Sequence, residues 1–92
     1  GVHVDAFDHE GSSSVNCPGE LLGIFWLKGT KLLTVASVQK GAGETVMHTM
    51  MSLLEGEQIT LEAASTNVRA LRLYEKLGFL KTAELTRWYQ VL

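Results

Sequence analysis

Apolar and polar positions alternate loosely over residues 2–8, where Val2, Val4 and Phe7 are set among His3, Asp5 and Asp8. That pattern predicts a half-buried strand. Residues 11–19 carry Gly11, three serines, Asn16, Pro18 and Gly19, the composition of a solvated loop. Two dense apolar runs follow at 21–27 and 31–37, joined by Lys28-Gly29-Thr30, and read as a hairpin of buried strands. Val46, Met47, Met50, Met51 and Leu54 then recur at helical spacing, predicting a helix over 43–55 that stops at Gly56. Ile59, Leu61 and Ala63 alternate with polar neighbours, so 58–64 is expected to be a strand. Asn67 suits the N-cap of a helix with Ala70, Leu71, Tyr74 and Leu77 on one face, ended by Gly78. Residues 79–85 and 88–92 read as two closing strands around Thr86-Arg87.

The predicted order is three strands, a helix, a strand, a helix and one or two strands. If 31–37 and 58–64 share a sheet, the intervening helix makes them parallel, while the hairpin is antiparallel. A mixed, mainly antiparallel sheet with one parallel strand-helix-strand unit is therefore expected, an α/β (α+β) fold.

Composition narrows the function classes. Ninety-two residues, 46% hydrophobic and 20% charged, suit one folded domain over 1–92. A formal net charge of −2 lacks the basic surplus of a nucleic-acid binder. No apolar run approaches the roughly 20 residues of a membrane helix, and no signal peptide is visible, so a cytoplasmic, membrane-free location is expected. The single cysteine, Cys17, excludes an internal disulfide framework and a Cys-pair zinc site. A start at Gly1 rather than Met suggests a processed product, a tag scar or an excised fragment.

The chemistry begins at Gln39-Lys40-Gly41-Ala42-Gly43-Glu44, a glycine-bearing turn between a strand and a helix. Such a turn can seat a phosphate on the unpaired N–H groups of the helix start. A nucleotide P-loop is excluded, because Gly43 is followed by Glu44 and Thr45 rather than Lys and Ser/Thr. A dinucleotide fingerprint is met in part: Val46 stands where a small residue is needed, but the acid Glu62 lies at a suitable distance. The pyrophosphate of coenzyme A and a plain tight turn remain alternatives at this point.

The stretch Leu61-Glu62-Ala63-Ala64-Ser65-Thr66-Asn67-Val68-Arg69-Ala70-Leu71-Arg72-Leu73-Tyr74-Glu75-Lys76-Leu77-Gly78-Phe79 closely resembles the signature of the GNAT family of N-acetyltransferases. With the upstream strands, loop and helix, the resemblance covers about residues 21–92. It implies a fold that binds acetyl-CoA between two splayed parallel strands, here 31–37 and 58–64, and passes the acetyl group directly to an amine. By position, backbone N–H groups of Gln39, Lys40, Gly41, Ala42, Gly43 and Glu44 would hold the pyrophosphate, and Asn67 would place the pantetheine arm. Tyr74 would protonate the departing thiolate. Glu62 matches the general base of the ribosomal-protein N-terminal acetyltransferases, to which the motif is most similar. The acceptor stays open among a small amine, a peptide N-terminus, an antibiotic and a polyamine.

The roles are chemically sensible without the family. An ammonium must lose a proton before attacking a thioester, and a carboxylate can take it. A phenol can return a proton to a thiolate, since their ordinary pKa values, about 10 and about 8.5, are close. A backbone N–H where the strands diverge can bind the carbonyl oxygen. Each residue also has a plainer role: Tyr74 as core, Glu62 as a solvated margin and Asn67 as a cap. Arg69, Arg72 and Lys76 form a basic stripe, either solvated or facing the coenzyme's 3′-phosphate. His3, Asp5, Asp8, His9 and Glu10 lack a recognised metal-ligand spacing. His48 is expected to be exposed, and Trp26, Trp88 and Tyr89 to line an acceptor pocket or the core.

Two departures from the family pattern stand out. Gln39 is one residue closer to Gly41 than the pattern has it, and the Pro that often precedes the loop is missing. The leading strand and two helices that normally form one wall of the acceptor site have no counterpart in residues 1–20. The chain therefore reads either as the C-terminal portion of a longer protein or as a compact member completed by a partner. Self-association into a homo-oligomer is the expectation for an uncovered sheet face.

Overall fold

The computed structural model describes residues 2–64, 66–82 and 87–90. Seven strands and two helices follow in the order β1 (His3–Asp5), β2 (Glu10–Cys17), β3 (Glu20–Lys28), β4 (Lys31–Ser37), α1 (Gly43–Leu53), β5 (Thr60–Glu62), α2 (Val68–Lys76), β6 (Phe79–Lys81) and β7 (Arg87–Gln90). The strands form one sheet in the order β1-β2-β3-β4-β5-β7-β6. Only the β4–β5 pairing is parallel among the described strands; the other five are antiparallel. The mixed α+β sheet with one parallel pair is thus as the hydrophobic pattern predicted.

Register places the core on one face. Val15, Gly23, Phe25, Leu27, Leu32, Leu61 and Trp88 follow one another across the paired strands and are all buried. Val46, Met47 and Met50 of α1, with Leu54 just beyond it, and Tyr74 of α2 close over them. Each large apolar side chain removed from water there contributes about 1.5–3 kcal/mol. Both helices therefore cover the same face, and the 19 Å smallest dimension fits one sheet and one helix layer. The opposite face stays open, with Trp26 50% and Leu80 48% exposed. No helix among the described residues is long and apolar enough to cross a membrane.

The loop expected over 11–19 is instead strand β2, paired with β3 along its whole length. Ser13 and Val15 alternate inward while Ser12, Ser14 and Asn16 face the open side, so a polar composition is compatible with a half-solvated strand. The turn is confined to Pro18 and Gly19, the latter at φ +80°. Four strands rather than three precede the first helix. Several elements are shorter than predicted: His3–Asp5 within 2–8, Thr60–Glu62 within 58–64, and Phe79–Lys81 within 79–85. Arg87 opens β7 rather than sitting in a turn. Thr86, the other half of that turn, and 83–85 and 91–92 of the closing strands lie outside the described residues.

Candidate functional site

The parallel ladder is brief. Lys31 pairs with Thr60 and Leu32 with Leu61, after which β4 continues for five residues without β5 beside it. The cause is local. Between Trp26↔Thr34 and Leu27↔Leu32, β4 carries one extra residue, Leu33, a bulge against β3. A bulge bends its strand and increases local twist, and here it falls where β4 and β5 part. β4 amides facing β5 beyond Leu32 therefore have no strand neighbour on that side.

On the helix face this divergence opens into a cleft of about 570 Å³. Val35 and Ser37 come from β4, Lys40, Gly41, Gly43 and Glu44 from the turn and α1, and Asn67, Arg69, Ala70, Leu73 and Tyr74 from α2 and its cap. Gly41 stands at φ +82°, and a Cβ there would enter open space. Glycine is required by the backbone, and it leaves the turn uncovered. α1 begins at Gly43 with no side-chain cap at Ala42. Its first intrahelical bond runs from Val46 N–H to the Ala42 carbonyl at 2.9 Å, so the N–H groups of Gly43, Glu44 and Thr45 have no intrahelical acceptor. Lys40 and Arg69 add positive charge at the rim. The donor set fits a phosphate-bearing ligand.

Of the six predicted turn residues, four line the cleft and two do not. Lys40, Gly41, Gly43 and Glu44 line the cleft. Ala42 is buried, and its N–H is already used by the Gln39 carbonyl at 3.1 Å. Gln39 itself turns away: its amide donates to Glu20 at 2.9 Å and to the Leu21 carbonyl at 3.2 Å. Glu44 is tied to Lys76 at 2.9 Å and to His48 at 3.5 Å. The Lys76 ammonium holds the Glu44 carboxyl below its usual range, and the pair neutralises a charge that would repel a phosphate.

Asn67 both caps and lines. Its Oδ1 accepts the Ala70 N–H at 3.3 Å, fixing the start of α2 at the cleft wall. One helical stretch further, Tyr74 is 6% exposed and packs against Phe79 and Trp88 with ring centres 6.0 and 6.2 Å away. Burial raises the phenol's pKa, so it stays protonated at neutral pH. It is a core residue and a cleft residue at once.

Glu62 is on the other side of the sheet. It follows the inward Leu61, so its side chain faces the open side, where it lines a second cavity of about 300 Å³ with Lys31, Thr60, Leu61, Thr82, Arg87 and Trp88. Arg87 Nε donates to Glu62 Oε1 at 3.0 Å and Lys31 Nζ lies 3.5 Å from the same oxygen. The Arg87 guanidinium and then the Lys31 charge hold the carboxyl below its usual range. Glu62 and Tyr74 thus flank the strand gap from opposite faces rather than sharing one cavity. Pattern reading missed Lys31 and Arg87 as partners of Glu62, since only strand register, Lys31↔Thr60 and Glu62↔Arg87, brings them together. It also missed Val35 and Ser37, which a bulge-sensitive reading of β4 would have turned toward α1.

Of the remaining candidates, His48 is exposed as expected, Trp26 lies on the open face, and Cys17 is half-buried at the end of β2. Among the described residues no three His, Cys, Asp or Glu side chains converge as a metal site would require. Neither a scan of protein-family models nor a search of curated protein sequences finds a match to this chain.

Proposed function

We propose that this chain is an acetyl-CoA-dependent N-acetyltransferase of the GNAT type, moving an acetyl group to an amine. The observation that carries the reading is the cleft where β4 and β5 part, with exposed α1 amides at one end and Tyr74 beside it. Gly43, Glu44 and Thr45 amides, Lys40 and Arg69 would bind the coenzyme's phosphates, and Asn67 would orient its arm. The thioester would lie in the strand gap, its carbonyl oxygen bound by a β4 amide past Leu32.

Two protons then move on two faces. On the open face, Glu62 is kept ionised by its cationic neighbours and can accept a proton from the incoming amine. On the helix face, the protonated Tyr74 can donate to the thiolate as the carbon–sulfur bond breaks. Separating base and acid across the sheet lets the amine reach the carbonyl carbon from one side while the thiolate leaves on the other.

A second reading, a coenzyme-binding module without turnover, is favoured by Gln39 being engaged elsewhere and by the double pairing of Glu62. Calorimetric titration with acetyl-CoA tests both, and absence of binding at millimolar ligand removes both. Replacing Tyr74 by Phe separates them. If the native chain acetylates amines and Tyr74→Phe is slower by about a hundredfold, the usual range for a proton donor, the enzyme reading holds. A native chain that binds the coenzyme but transfers nothing is the module.

A further inference from the structure

The open-face cavity carries more information about the acceptor than a single base would need. Resting on the acetyltransferase reading above, we infer that the acceptor is a small zwitterion, an amine with a carboxylate one or two carbons away, of which a free α-amino acid is the simplest case. The cavity's 300 Å³ suits a small molecule rather than a folded partner. Its polar lining mixes signs: Glu62 is set between Lys31 and Arg87, with the Thr60 and Thr82 side chains beside them.

The hydrogen bonding is lopsided. Both cations meet the same oxygen, Glu62 Oε1. Glu62 Oε2 has no protein partner among the described residues, so it is open to a ligand ammonium. The Lys31 contact is loose, at 3.5 Å, and its side chain is 43% exposed. Such a pair contributes little to stability and yields easily to a competing anion. A ligand carboxylate meeting Lys31 would replace that loose contact with a charge-assisted hydrogen bond.

Spacing sets the ligand. Lys31 Nζ lies 3.5 Å from Glu62 Oε1, so the site's cation and carboxylate are neighbours, and a ligand engaging both carries its two charges a few bonds apart. A polyamine would press a second cation against Lys31 and Arg87. A peptide N-terminus would offer Lys31 only a neutral amide. An α-amino acid matches both signs at the right separation.

The transfer balances. The bound ammonium gives one proton to Glu62 Oε2, and the freed nitrogen pair attacks the thioester carbonyl carbon. The carbon–nitrogen bond forms and the carbon–sulfur bond breaks. Sulfur leaves as a thiolate and takes the Tyr74 proton, which the nitrogen's second proton replaces through solvent. One N-acetyl product, one free thiol and one net proton result.

The test is acetyl transfer from acetyl-CoA, read by mass spectrometry, across the α-amino acids, each paired with its own C-terminal amide. At least one amino acid should exceed its amide in kcat/KM by about tenfold or more, as expected for a charge-assisted hydrogen bond. Lys31→Gln should erase that preference. Equal or better transfer to the amides overturns the inference in favour of a peptide-like acceptor, and a preference surviving in Lys31→Gln overturns the site. Calorimetric coenzyme binding with no amino acid acetylated sinks the inference alone; no coenzyme binding at all sinks the acetyltransferase reading and this inference with it.

Discussion

Tyr74 is where packing and the proposed chemistry meet. Its ring belongs to the core, and the same burial that packs it raises its pKa. The folded state therefore prefers the neutral phenol. That preference is fully present below the unfolded value of about 10 and is lost as pH rises through the higher folded value. Thermal stability followed from pH 9 to 11 should fall in the native chain and fall less in Tyr74→Phe. An identical decline in both would mean that Tyr74 ionises as freely in the fold as outside it. Glu62 has the opposite environment, exposed and paired with two cations that the sequence did not disclose. Its neighbours come from β4 and β7, 31 residues upstream and 25 downstream, and only the folded register joins them.

Elements were legible wherever their hydrophobic period was strong. α1 declared itself through Val46, Met47 and Met50, and α2 through the Asn67 cap and the face ending in Tyr74. Asn67→Ala should lower stability in urea by about 1 kcal/mol through the lost cap bond to Ala70. A change near zero would mean that the cap is held by water instead. Strand β2 was illegible because serine and asparagine on a solvated face look like a loop, and its inward positions, Ser13 and Val15, are few. The bulge at Leu33 was likewise invisible, since nothing in a run of apolar residues marks one that lacks a cross-strand partner. Gly23 shows how tightly α1 sits on β3: an added Cβ would collide with the Ala36 carbonyl oxygen and lie 2.8 Å from Val46 Cγ2. Gly23→Ala should therefore cost about 1–3 kcal/mol by overpacking, measured by denaturant unfolding. Unchanged stability would show that α1 can lift from the sheet, and with it the wall of the cleft.

At the scale of the molecule, two layers leave the two sheet faces with different work. The helix face holds the core and, at its margin, a cleft whose amides and cations suit phosphates. The open face holds the cavity built around Glu62. The β4–β5 pairing ends between them, so the proposed reaction depends on the gap beyond Leu32 admitting a thioester. The most direct measurement is a titration of the chain with acetyl-CoA followed through its backbone amide NMR resonances. Saturable shifts are expected to concentrate at Lys40–Thr45, at Asn67–Ala70 and in β4 beyond Leu32. Shifts scattered over β1 and β2, or none at millimolar coenzyme, would contradict the proposed reaction.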